Sequence, residues 1–195
     1  MTLLILGIIG VIILYLIATY NKFVSIKTQI TASIQEIGNQ LKRQADLIPN
    51  LTASVKGYIK HEKDIFKAIT DARKQAIEAV GGNGNDAQSL IDASTKLEKA
   101  LAPIRVTLES TPELKADAPT QKLMDELRDT ADKTMYARRT LIDLTQNYNE
   151  LIVKIPSNFI AMIFGFKQEP GLKMAETEAA TSVSAEETKS PKVEL

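Results

Sequence analysis

The sequence predicts an all-α protein: an N-terminal transmembrane helix that continues into an antiparallel, up-down-up-down four-helix bundle, then a short apolar helix and a disordered tail. Three observations carry this. The chain opens on a long uncharged aliphatic run; apolar residues then recur three and four apart in four successive stretches; and aromatic residues make up only 5% of the 195 residues, with no tryptophan. A core built from Leu, Ile, Val and Ala suits packed helices better than β-sandwiches.

From Met1 to Asn21 no side chain is charged, and Leu3 to Ala18 is almost unbroken aliphatic. A membrane span needs about 20 such residues, so Thr2 to Tyr20 is just long enough, with Tyr20 where an interfacial ring is favoured. A cleaved signal peptide fits worse, because a basic leader is missing and Leu16, Ile17, Ala18 makes a poor cleavage site. Residues 1–20 are therefore assigned as an uncleaved anchor, residues 21–166 as the bundle and residues 167–195 as a flexible tail.

Phe23, Ile26, Ile30, Ile34, Ile37 and Leu41 form the first amphipathic stripe. Pro49 is expected to interrupt this helix, since proline removes a donor and disfavours the α region at Ile48, and Asp46 is a candidate cap for the next turn's amides. A second stripe follows at Leu51, Val55, Tyr58, Glu62, Ile65, Ile69, Ala72 and Ala76, and stops at the turn-forming run from Gly81 to Asp86. The third is Leu90, Ser94, Leu97, Leu101, Ile104 and Leu108, with Pro103 expected to kink or divide it. Pro112 and Pro119 bracket a short connection. The fourth stripe runs from Leu123 through Leu127, Thr130, Thr134, Ala137, Leu141, Leu144, Tyr148 and Leu151 to Ile155 in unbroken heptad rhythm. Short connections make sequential helices antiparallel.

Seven of the eight residues from Phe159 to Phe166 are apolar, too few to span a bilayer. Two roles remain open for them: capping the core at the anchor end, or lying in the membrane interface between Lys154 and Lys167. From about Met174 onward apolar periodicity vanishes, and the composition predicts disorder.

Charge and motif content exclude several functions. Lys plus Arg and Asp plus Glu each total 24, so no basic excess is available for nucleic acid. Zero cysteines exclude thiol chemistry. His61 and Glu62 lack the second histidine of a zinc-protease helix, since position 65 is isoleucine, and the Gly-rich run between helices is no phosphate loop. No catalytic, cofactor-binding or metal-binding residue is expected. Arg138 and Arg139 read as solvated charges, with Asp143 one turn away. Glu62, Ser94, Thr130 and Thr134 fall on core stripes, and antiparallel threading brings them to one level as a register-setting polar layer.

The block from Leu41 to Arg73, the stretch Glu109 to Ala116 and the closing run Tyr148 to Phe166 resemble the LemA family. The match departs at Gln44, Thr52, Pro103, Thr111 and Leu172. The resemblance implies an anchored four-helix bundle whose biochemical role is poorly defined, often associated with membrane zinc proteases of the HtpX type, and a branch that serves magnetosome membranes. The partners expected are the lipid bilayer and membrane-associated proteins, with no cofactor and an open oligomeric state. An interaction scaffold is the leading reading and a self-assembling membrane-organising protein the alternative. Lys22 and Lys27 follow the anchor and no basic side chain precedes it, so the bundle is expected in the cytoplasm with Met1 outside.

Overall fold

A computed structural model describes residues 1–58, 63–82 and 86–172. Among the described residues all regular structure is helical: α1 (Thr2–Val55), α2 (Lys63–Gly81), α3 (Ala87–Ser110), α4 (Pro112–Ala116), α5 (Ala118–Val153) and α6 (Ser157–Phe164).

Helix α1 is continuous for 54 residues, about 81 Å at 1.5 Å per residue. In its first turns, the large apolar side chains from Leu3 to Tyr15 are exposed on every side of the helix. From Phe23 onward the same helix buries a stripe, Phe23, Ile26, Ile30, Ile37, Leu41, Ala45, Ile48, Leu51 and Val55. Fully burying an aliphatic or phenyl side chain contributes about 1.5–3 kcal/mol.

The expected break at Pro49 does not occur. Proline cannot donate to the carbonyl one turn back, and that carbonyl, of Ala45, instead accepts from Nε of Arg73 on α2 at 2.8 Å. The interior proline is thus offset by a tertiary hydrogen bond, and the chain turns only at Lys56 to Tyr58. Leu51 and Val55 accordingly belong to α1, and α2 begins at Lys63. Asp46 lies mid-helix beside Lys42, 3.4 Å away, and caps nothing. Pro103 likewise leaves α3 undivided; Lys99 and Pro103 are both exposed, which puts the orphaned carbonyl on the water-facing side.

The other ends follow local chemistry. The Asp86 carboxylate accepts from the Ser89 amide to start α3, and Asp117 accepts from the Thr120 amide to start α5, with Pro119 in its first turn. Gly165 ends α6 in the left-handed region at φ 71°, where a side chain would be strained.

Helices α1 and α5 form the most extensive pairing and run antiparallel: Arg43 meets Glu126 at 3.7 Å near one end, and Phe23 meets Tyr148 edge-on near the other. Helix α2 packs on α3 and on α1, and Gly38 of α1 lets Leu90 of α3 approach. Helix α3 touches α5 only sparsely. All third-stripe positions are buried, as are Leu127, Thr130, Thr134, Leu141 and Tyr148 of the fourth; Ile155 has left the helix and is 77% exposed.

Candidate functional site

Two places combine chemistry with access. The first is the junction where α1 leaves its bare apolar stretch. Phe23 is fully buried there and gathers the aromatic side chains of the closing segment: Phe166 stacks on it at 4.7 Å and Tyr148 meets it edge-on at 5.8 Å. One turn earlier, Tyr20 packs against Phe164 at 4.8 Å and Phe166 at 5.7 Å. Ring pairs at these separations add about 0.5–1.5 kcal/mol beyond area burial. The Ser157 hydroxyl donates to the carbonyls of Leu151 and Lys154, which anchors the start of α6 on the end of α5. One face of α6, Ser157, Ile160 and Ala161, is buried, while Phe159, Met162, Ile163 and Phe164 remain exposed.

Beyond α6, residues 167–172 run back along the helices, although the sequence assigns them to the tail. The Asn149 side chain donates to the Glu169 carbonyl and accepts from the Glu169 amide, both at 2.9 Å. The Glu169 carboxylate meets Lys27 at 3.1 Å, and Leu172 packs on the core. The hydrogen bond from Lys27 to Glu169 raises the lysine's pKa, and burial raises that of Tyr148. The remainder of the predicted tail, residues 173–195, lies outside the described residues.

The second place is a groove of about 570 Å³ between α3 and α5, left by their sparse contact. It is lined by apolar residues, Ile91, Met135 and Ile142 among them, and by the charged Glu98, Arg105, Asp132, Arg138 and Arg139. Burial pushes the Glu98 carboxyl above its ordinary pKa, against the opposing pull of Arg105 and Arg138. Arg138 and Arg139 therefore line a groove, and neither forms an ion pair with Asp143 among the described residues. The Arg138 Nε is buried without a hydrogen-bond partner among them.

Of the polar layer, Ser94 and Thr134 come together at this groove. The Thr134 hydroxyl donates to the Thr130 carbonyl, and that of Thr130 to carbonyls of its own helix, so these groups satisfy themselves locally. Glu62 and His61 lie outside the described residues. Among the described residues no three His, Cys, Asp or Glu side chains are grouped closely enough to hold a metal ion. Gln44, one of the departures from the family resemblance, is 2% exposed and faces inward.

A family model described as LemA family matches residues 33–186, most of the chain. The chain belongs to the LemA family. Its relatives include the magnetosome protein MamQ of Magnetospirillum gryphiswaldense, 25% identical over 78% of this chain, and two MamQ proteins of Paramagnetospirillum magneticum, each 24% identical over the same share. The chain spans 64% of the length of these relatives. They are not known as enzymes, and their names say nothing of a protease; a zinc-protease partner rests on the family resemblance alone.

Proposed function

We propose that this LemA-family chain is a single-span, membrane-anchored helical scaffold without catalytic activity, whose helices beyond the anchor act as one four-helix bundle offering its faces to membrane-associated proteins. The observation that carries this reading is the change of surroundings along one unbroken helix. Large aliphatic side chains from Leu3 to Leu14 lie exposed, a patch far beyond what a protein keeps in water, and the same helix then becomes the central strut of the core. The uncharged stretch from Thr2 to Tyr20, 19 residues, is about 28 Å long, close to the hydrocarbon thickness of roughly 30 Å. The α3–α5 groove, lined by apolar residues and by charges of both signs, suits a polypeptide segment better than a single anion. Lys22 and Lys27 after the span favour a cytoplasmic bundle with Met1 outside.

Affinity purification of the full chain in mild detergent tests the scaffold reading. Stoichiometric unrelated proteins, lost on Met135→Glu or Arg138→Glu in the groove, are the expected result. Recovery of self-copies and lipid alone would contradict it. That outcome would favour the second reading, a self-assembling membrane-organising protein, which the magnetosome relatives motivate.

A further inference from the structure

We propose that α6 is a second membrane contact: a short interfacial helix that lies in the headgroup boundary beside the exit of α1 and fixes which side of the bundle faces the bilayer. The proposal rests on the reading that residues 2–20 of α1 are embedded, and deepens it.

The level of α6 is set by its contacts. Tyr20 closes the uncharged stretch of α1, and Phe164 and Phe166 pack directly on its ring. Leu16, one turn deeper, is partly buried and packs on the core, and α1 and α6 are in contact. If the hydrocarbon ends near Tyr20, α6 sits at that depth and reaches about a turn below it.

The outward chemistry of α6 fits that depth. Its inner face is already used on the core, so core capping does not account for the opposite face, where Met162 and Ile163 are 70% and 72% exposed and Phe159 and Phe164 are about half exposed. Such a face adjoining a membrane span is continuous with the apolar surface of the span itself. Lys154 and Lys167 bracket the helix; Lys154 is paired with Glu150, and both border, with Lys22, a small cavity between α1 and α5, so that Lys22 and Lys167 are the cations that would meet anionic headgroups. An eight-residue helix cannot cross the bilayer, but its aromatic and thioether side chains suit the acyl–headgroup boundary.

The consequence is geometric. A single span leaves a bundle free to tilt in any direction; a second contact, offset from α1, removes that freedom. The α3–α5 groove would then be held at a set height. Met135 lies 13 residues before Tyr148 on α5, about 20 Å further from the membrane.

The test uses the absence of tryptophan from the sequence. Full-length variants Ile163→Trp, Met162→Trp, Ile9→Trp and Tyr136→Trp, all at exposed positions, are reconstituted in vesicles of phosphatidylcholine and phosphatidylglycerol carrying bromine on the acyl chains. Emission from Ile9→Trp, Ile163→Trp and Met162→Trp should shift to the blue and be quenched by the bromines, while Tyr136→Trp stays red and unquenched. Quenching at Ile9→Trp without quenching at either α6 position would overturn the proposal and leave the anchor intact. A blue shift at α6 that depends on protein density but not on bromine would likewise overturn it, because a second copy would cover the face. No quenching at Ile9→Trp would defeat the anchor reading and the proposal with it.

Discussion

The two parts of α1 are one helix with two kinds of surface. From Leu3 to Leu14 its apolar side chains point in every direction and lie exposed; after Phe23 they narrow to a stripe, and polar residues such as Gln29, Glu36 and Lys42 occupy the rest of the circumference. A helix apolar all round and exposed belongs in lipid, whereas one with a stripe belongs on a core. The difference teaches that continuity of secondary structure says nothing about continuity of environment. It also locates the boundary: the ring cluster of Tyr20, Phe23, Phe164 and Phe166 sits where one regime gives way to the other.

The sharpest way to break the comparison is to remove a large side chain from each part. Phe23→Ala should cost about 3–5 kcal/mol in chemical denaturation of the full chain in detergent, because it empties a fully buried site and removes two ring pairs. Leu4→Ala should leave the same transition unmoved. Equal effects would mean that the first turns of α1 pack on protein.

A second prediction concerns why the stripe survives Pro49. Arg73→Met strands the Ala45 carbonyl and should cost about 1–3 kcal/mol. In a Pro49→Ala background, residue 49 regains the N–H that this carbonyl would otherwise receive, so the same change should cost about 1 kcal/mol less. A double-mutant cycle with no coupling would refute this account of the proline.

This element shows where the sequence is legible and where it is not. The uncharged apolar run at the start, the first, third and fourth stripes, the turn-forming run up to Asp86 and the short apolar helix can be read from periodicity and turn chemistry, because those signals are local. Pro49 was misread because its compensation comes from Arg73, on another helix. One local sign did exist: the buried positions Leu41, Ala45, Ile48, Leu51 and Val55 keep their three- and four-residue spacing straight across the proline. The docking of residues 167–172 depends on Asn149 meeting the Glu169 backbone from 20 residues away, and no compositional signal announces it. The α3–α5 groove was equally hidden, since Ser94 and Thr134 read as core positions and nothing in the stripes says that two helices with good seams will barely touch.

Smaller effects refine the picture around the boundary. Lys27→Met removes an ion pair whose lysine is half exposed, so the loss should stay below about 1 kcal/mol near neutral pH. Because Glu169 raises the lysine's pKa, that contribution is fully present below the ordinary lysine range and disappears only as pH climbs through the raised value, in strong alkali. The smallest effect is expected at the groove. The Glu98 pKa is raised by burial, so the folded protein holds that proton more tightly and stability falls as pH rises from about 4. Glu98→Gln should therefore stabilise slightly near neutrality and have no effect below about pH 4; the carboxyl is partly exposed, which keeps the gain well under about 1 kcal/mol. A loss of stability at neutral pH would mean that Arg105 and Arg138 outweigh the burial.

The central claim is that the first part of α1 has lipid as its solvent. Washing membranes that carry the full chain with alkaline carbonate tests it most directly, because this treatment strips proteins held by surface contacts and leaves embedded ones in place. The chain should remain wholly in the membrane pellet, and an Ile9→Arg, Ile13→Arg variant, which puts two charges at the centre of the span, should be released. Release of the unmodified chain would contradict the account.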